Sequence, residues 1–329
     1  MRVPGKAAGP LQVAVGLIRD ARGRILISRR AADAHQGGLW EFPGGKLEPD
    51  EPIRSGLRRE LREELGITPN RMLPLLRIPF HYPDKHVLLD VWEVAGFNGE
   101  PRGREGQPLR WVEPDRLDDY RFPEANAPII KAARLPEHYL ITPAPGTDTA
   151  AFLAKLEARL AAGIRLVQLR AHGLSEGAYL GLARECLARC RHHGAELLLN
   201  GPPAVATRIG AGLHLTAARL ADLPSRPALA PGRLLASSCH TEAELARAVS
   251  IGVDFCVLGP VKPTTTHPDA KPLGFDGFAA MVRDVPLPIY ALGGMQSADL
   301  VPARERRAQG IAAIRGLWIT DRWPDQSSP

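Results

Sequence analysis

The sequence predicts two α/β domains in tandem: a domain that mixes strands with one strong helix over residues 1–134, and a (β/α)8 barrel over residues 135–329. Three observations carry this expectation. The first stretch places β-branched apolar runs around a single segment with helical periodicity. From His138 onward, short apolar runs alternate with helix-length segments, eight times in roughly 190 residues, which is the rhythm of β/α units around a parallel sheet. The 329 residues, 44% of them hydrophobic and 24% charged, suffice for two domains of ordinary size, each with its own core.

In the first domain, Leu11–Ile18 and Arg24–Ser28 read as strands joined by a turn at Asp20–Gly23. Leu39–Gly45 reads as a strand running into a tight turn. Pro52–Leu65 is the helix, because Ile53, Leu57, Leu61 and Leu65 recur every four residues along one stripe, and Gly66 stops it. Val87–Val94 is another strand and Pro128–Leu135 a short helix. In the second domain the expected strands lie in residues 138–142, 165–170, 196–200, 212–216, 233–239, 255–260, 288–294 and 310–318. Continuous apolar runs of this kind suit a parallel sheet covered on both faces. The segment after the last strand is short, so the final helix is expected to be truncated.

The net charge is +6 and the pI about 9.3. The basic residues are mostly scattered arginines with no basic arm, which suits small polyanions such as nucleotides rather than a nucleic-acid polymer. Cys186, Cys190, Cys239 and Cys256 lack the paired knuckles of a zinc site and read as buried free thiols in a reducing compartment. The first twenty residues hold no long apolar segment, and no run of about 18 apolar residues exists, so neither a signal peptide nor a membrane span is expected and the cytoplasm is the default location.

The stretch LRRELREELGI, Leu57–Ile67, poses the functional question. On a helix, Glu60, Glu63 and Glu64 stand at i, i+3 and i+4 on one face, where like charges repel. By themselves they read as a solvated face balanced by Arg58, Arg59 and Arg62. The wider pattern is Gly45-x5-Glu51-x7-Arg59-Glu60-Leu61-x-Glu63-Glu64-x-Gly66-Ile67, which matches every fixed position of the Nudix box. The chain therefore resembles the Nudix hydrolases. That resemblance implies an α/β/α sandwich with a mixed sheet, and hydrolysis of a nucleoside-diphosphate-linked substrate by water attacking phosphorus. It also implies Mg²⁺ or Mn²⁺ as cofactor and Glu60, Glu63 and Glu64 as metal-binding and catalytic carboxylates. The physics agrees. Hard cations take oxygen ligands, here carboxylates with the Gly44 carbonyl. Bound metal neutralises phosphate charge and lowers the pKa of water. A nearby glutamate can orient or deprotonate that water, and Arg59 can hold the cluster in place.

The flanks narrow the resemblance. ISRRAADAH (27–35), LWEFPGGKLE (39–48), GEPRGREGQPLRW (99–111) and FPEANAPII (122–130) are similar to MutT-type 8-oxo-dGTP diphosphatases over about residues 10–134. By that similarity Glu105 is a further metal ligand, and Arg30 and His35 contact the nucleotide and its phosphate. Glu41, Phe42, Pro43 and Gly44 line the base pocket, and Asn126 reads the oxidised guanine. An asparagine amide offers both donors and an acceptor. The oxidised base carries an N7–H donor where guanine has a bare acceptor, so a site built for that donor disfavours dGTP. Tyr82 and Lys85 depart from the family pattern, which has Phe and Arg there.

The second domain resembles the thiamine phosphate synthase/TenI family through YLIT (139–142), VQLR (167–170), LLLN (197–200), GLHLT (212–216), GPVKPTTTHPDAKPLG (259–274) and ALGGM (291–295). This implies a TIM-type barrel. The charged positions depart from the family. Gln-x-Arg-Glu-Lys becomes Gln168-Leu169-Arg170-Ala171-His172, losing the lysine. Asn-Asp-Arg becomes Asn200-Gly201-Pro202, losing a metal aspartate. A second metal aspartate is expected after His214-Leu215, and Thr216-Ala217-Ala218-Arg219 supplies none. The Pro-Thr-Lys-Thr-Lys loop becomes Pro263-Thr264-Thr265-Thr266-His267. Synthase activity is therefore not expected, and His240 and His267 remain candidates for acid–base work. The main expectation is 8-oxo-dGTP hydrolysis by the first domain. The alternative is Nudix hydrolysis of a thiamine-related diphosphate, with the barrel binding or sensing a thiamine precursor.

Overall fold

A computed structural model describes residues 9–33, 36–264 and 269–319. The chain divides into two compact units, Met1–Arg134 and Leu135–Pro329.

The first unit contains seven strands: β1 (Leu11–Ile18), β2 (Ile25–Arg29), β3 (Trp40–Glu41), β4 (Gly44–Lys46), β5 (Thr68–His81), β6 (His86–Asn98) and β7 (Leu109–Val112). Its helices are α1 (Ile53–Leu65) and α2 (Ala127–Arg134). One sheet runs β4-β1-β6-β5 and is mixed, because β1 and β6 are parallel while the other pairs are antiparallel. A second, antiparallel sheet runs β3-β2-β7. β1 alternates across its two faces as a strand must. Ala14 and Ile18 meet Leu57, Leu61 and Leu65 of α1. Val15 and Leu17 share the other core with Ile129, Ala132 and Ala133 of α2. This is the α/β/α sandwich that the sequence implies. α1 ends at Gly66, whose left-handed backbone (φ 73°) returns its N–H to the Arg62 and Leu61 carbonyls.

Three features of this unit differ from expectation. β5 is not among the strands expected from the sequence; Pro69, Pro74 and Pro79 interrupt its pattern. It lies at the sheet edge, where a missing N–H is tolerated, and its register shifts beside Pro69 and Pro74. The single strand expected over Leu39–Gly45 is two: β3 pairs with β2 and β4 pairs with β1, the chain changing sheets at Phe42–Pro43. β7 is only four residues long and carries too little pattern to stand out.

The second unit is a closed barrel of eight parallel strands: β8 (His138–Ile141), β9 (Leu166–Leu169), β10 (Glu196–Leu199), β11 (Gly212–Leu215), β12 (Leu235–Cys239), β13 (Phe255–Leu258), β14 (Ile289–Leu292) and β15 (Gly310–Ala313). Its helices are α3 (Thr149–Ala161), α4 (Glu176–His192), α5 (Pro203–Ile209), α6 (Ala217–Asp222), α7 (Glu242–Ile251), α8 (Gly274–Val282), α9 (Leu300–Arg304) and α10 (Arg315–Trp318). Alternate strand residues fill the lumen, including Tyr139, Leu166, Leu198, Phe255 and Tyr290, while their neighbours pack beneath the helices. The run 310–318, read as one strand, is β15 followed by the four residues of α10. All four cysteines are buried and free. Among the described residues no helix is long and apolar enough to cross a membrane.

Candidate active site

α1 buries its apolar stripe and leaves Arg59, Glu60 and Glu64 along the flank facing β4. Arg59 is the hub. Its Nε and Nη2 grip the Glu51 carboxylate at 3.0 and 2.8 Å, its Nη1 donates to Glu60 Oε1 at 2.8 Å, and Nη2 also reaches the Lys46 carbonyl at 3.1 Å. Such forked pairing needs a planar guanidinium; lysine has no equivalent geometry. The hydrogen bonds to Arg59 hold the Glu51 carboxyl below its ordinary range. Glu51 belongs to the motif but was assigned no role from sequence; it anchors the arginine that holds Glu60.

The glycines of β4 are steric requirements. A Cβ on Gly45 would lie 2.1 Å from the Glu60 carboxylate, so Glu60 packs directly on the backbone there. Gly44 has φ +147°, and a Cβ on it would lie 2.1 Å from the Ala14 carbonyl oxygen. Glu64, one helical turn beyond Glu60, has its carboxyl pushed up to about 8. Burial is the main cause, followed by the charges of Glu41, Glu60 and Glu105, with the Gly44 backbone opposing them. Glu63 faces outward, its side chain 60% exposed and 3.4 Å from Arg59.

Glu105 reaches this cluster because its loop caps the end of α1. The Arg102 and Arg104 N–H groups donate to the Leu65 and Glu64 carbonyls at 3.0 and 2.9 Å. Arg104 Nη1 donates to the Arg62 carbonyl at 3.2 Å, and Gln107 Nε2 to that of Glu64 at 3.2 Å. Gln107 Oε1 accepts the Glu105 N–H at 2.9 Å. The orphan carbonyls of a helix end are thus used to fix a loop. Arg104 and Gln107 were not singled out from sequence, although both lie in the GREGQP flank.

On the other side of Glu41, Arg30 closes an ion pair with it. Burial raises the Glu41 carboxyl above its ordinary range, while Arg30 opposes the shift. Phe42 is buried and stacks on Phe122, centroids 5.3 Å apart. The Pro43 carbonyl accepts the Gly16 N–H at 2.8 Å, tying this turn to β1. Asn126 ends a short 3-10 turn, Glu124–Asn126, and is 8% exposed; among the described residues nothing hydrogen-bonds its amide. Tyr82 packs on Phe80 at 4.7 Å, with Lys85 5.9 Å above its ring. Arg30 and the Ala125 backbone both act on its phenol, so Tyr82 joins the Arg30 and Asn126 sides of the pocket. His35 lies outside the described residues.

The arrangement is an acidic cleft bordered by an aromatic one. Among the described residues no three His, Cys, Asp or Glu side chains close into a ready metal shell. Gly44, Glu60, Glu64 and Glu105 are brought towards one another without converging on a point, and Arg59 occupies one oxygen of Glu60. Unbalanced carboxylates repel one another, which adds to burial in raising the Glu64 pKa. This oxygen-rich, proton-retaining cluster suits a hard divalent cation.

In the barrel, His214 is wholly buried, with Nδ1 3.0 Å from the Tyr139 hydroxyl and Nε2 2.9 Å from Ser238 Oγ. Burial pushes its pKa down to about 3. His240 Nδ1 lies 2.7 Å from the Gly259 carbonyl oxygen. His267 lies outside the described residues.

Two family descriptions match the chain: NUDIX domain over residues 14–132 and Thiamine monophosphate synthase over residues 138–317. The 8-oxo-dGTP diphosphatase of Escherichia coli K12 is 46% identical over 120 residues, 36% of this chain and 93% of that protein. The CTP pyrophosphohydrolase of the same organism is 38% identical over 118 residues, 36% of this chain and 87% of that protein. The thiamine-phosphate synthase of Thiobacillus denitrificans is 31% identical over 173 residues, 52% of this chain and 82% of that protein. The chain therefore belongs to two families at once, the NUDIX domain family through its first unit and the thiamine monophosphate synthase family through its second.

Proposed function

We propose that the N-terminal unit hydrolyses 8-oxo-dGTP to 8-oxo-dGMP and diphosphate, water adding at the β-phosphorus as the bond to the α-phosphate oxygen breaks. The observation that carries this is the carboxylate cluster of α1, in which Arg59 grips Glu51 and Glu60 while Glu64, pushed up to about 8 by burial and then by Glu41, Glu60 and Glu105, marks a site short of positive charge. Mg²⁺ or Mn²⁺ on the Gly44 carbonyl, Glu60, Glu64 and Glu105 would neutralise phosphate charge and acidify water. Arg59 fixes the Glu60 carboxylate against Gly45, so its free oxygen keeps one direction. Glu63, exposed and only at the edge of reach of Arg59, is the candidate to take the proton of the attacking water, with Glu60 as the second candidate. Arg30, kept in place by Glu41, supplies positive charge for the nucleotide phosphate, with His35 as its expected companion.

The base would lie among Phe42, Pro43 and Tyr82, with the unengaged Asn126 amide reading its oxidised edge. Likeness to 8-oxo-dGTP diphosphatases supports this specificity. The likeness to a CTP pyrophosphohydrolase makes CTP the competitor to include in any test. The barrel, lacking the expected metal aspartates, is proposed to have no thiamine phosphate synthase activity. The test is a substrate series of 8-oxo-dGTP, dGTP, CTP and thiamine diphosphate with the intact chain. Turnover of 8-oxo-dGTP that Glu60→Gln abolishes supports the proposal; a preference for CTP or thiamine diphosphate overturns it.

A further inference from the structure

Resemblance to the synthase family implies a divalent cation at the barrel mouth, but the residues there do not suit one. β9, β10 and β11 are adjacent and parallel, so the segments that follow them share one rim. These segments contribute Arg170 and His172, then Asn200 and Gly201, then Arg219 in the first turn of α6. The rim is cross-tied. The Arg170 N–H donates to Thr142 Oγ1 at 3.0 Å, the Asn200 N–H to the Leu169 carbonyl at 3.1 Å, and Asn200 Nδ2 to the His214 carbonyl at 3.3 Å. Arg219 folds back over it, Nη1 donating to the Gly201 carbonyl.

Two observations bear on what these groups can bind. Burial first, and then the charges of Arg170 and Arg219, hold the His172 imidazole below its ordinary range, so the ring feels both guanidinium charges. Beneath the rim, Tyr179 of α4 is 6% exposed, and its hydroxyl has no hydrogen-bond partner among the described residues. That hydroxyl presses against Gly201, where an added Cβ would lie 2.8 Å from it, and the charge of Arg219 reaches it too. A buried hydroxyl without a partner is costly, so its retention calls for an acceptor.

The donor set decides the ligand. Arginine donates and never accepts, and residues 170–172, 200–202 and 216–219 contain no carboxylate. A hard cation would find no anionic oxygen ligand in these segments. An oxyanion finds two permanent positive charges and several N–H and O–H donors. We propose that this rim binds a phosphate group, free or carried as an ester or diphosphate, without a divalent cation. Arg219 supplies the charge that a metal would supply, and Arg170 and the Tyr179 hydroxyl complete the donors.

The test is calorimetric titration of the intact chain with inorganic phosphate and with inorganic pyrophosphate in excess EDTA. The expected result is saturable binding in EDTA that Arg219→Ala weakens by about tenfold or more and Arg219→Lys largely retains. Tyr179→Phe, which removes only the unpaired hydroxyl, is expected to weaken binding several-fold without lowering the melting temperature of the barrel. Tighter binding of pyrophosphate would assign a diphosphate ligand, and equal or tighter binding of phosphate a monoester; either supports the site. Binding that appears only with Mg²⁺, that is absent for both anions, or that Arg219→Ala leaves unchanged overturns it.

Discussion

The two units treat charge in opposite ways. In the first, Glu51, Glu60, Glu64 and Glu105 are gathered around a site with Arg59 as its clamp, and the Glu64 carboxyl resists ionising. In the barrel, the lumen is aromatic and aliphatic, its histidine is buried and neutral, and the rim of β9–β11 offers guanidiniums where its family resemblance calls for metal-binding aspartates. On the proposals made above, one unit takes a cation and the other an oxyanion. Phosphate chemistry can be served by either solution, and which one a site uses is set by a few side chains.

The contrast can be broken at several points. Glu60→Gln is expected to lower kcat for nucleotide hydrolysis by about 10²–10⁴-fold, whereas His240→Ala in the barrel should leave it unchanged; steady-state kinetics on both variants reads the difference. Gly45→Ala should come next, at roughly 10²-fold, because its methyl must displace the Glu60 carboxylate and misplacement near an ångström has that effect. Its signature is lost rate in a chain whose barrel still melts normally. Arg59→Lys keeps the charge but loses the fork on Glu51, with about tenfold lower kcat and a stability loss on the order of 1–3 kcal/mol in the first unit.

Acidity separates the units with a smaller but opposite effect. The Glu64 carboxyl sits at about 8 against an ordinary 4.5, so between those values the folded first unit binds more protons than the unfolded chain, and its stability falls as pH rises from 4.5 to 8. In the barrel, His214 and His138 sit at about 3 and about 4 against an ordinary 6.5, so the unfolded chain binds more protons there, and stability falls as pH drops below 6.5. Thermal unfolding at pH 5, 6.5 and 8 should show two transitions moving in opposite directions, with Mg²⁺ raising the first most at pH 8. A common direction would mean that these groups do not govern the two stabilities.

Legibility followed the strength of the local pattern. α1 was evident because four apolar residues and a terminal glycine repeat one signal, and the barrel strands because each is a continuous apolar run between helices. β5 was hidden by its three prolines, whose tolerance depends on an edge position that only the assembled sheet reveals. At the site, the Nudix resemblance pointed to Glu60, Glu63, Glu64 and Arg59, where spacing alone read as a solvated face, yet it gave no role to Glu51 and did not distinguish outward Glu63 from inward Glu60. Those facts depend on where β4 and the loop before α1 pass, which no helical spacing encodes. The Tyr179 hydroxyl gave no sequence signal at all, since an unmet donor is visible only from what fails to surround it.

The most direct test of the account is kcat/KM of the intact chain for 8-oxo-dGTP and dGTP, measured side by side in the native form and in Asn126→Ala. The account expects a strong preference for 8-oxo-dGTP, by more than about 10²-fold, that collapses by at least tenfold in the variant while kcat for dGTP changes little. Equal turnover of the two nucleotides by the native chain, or a preference that survives loss of the Asn126 amide, would contradict it.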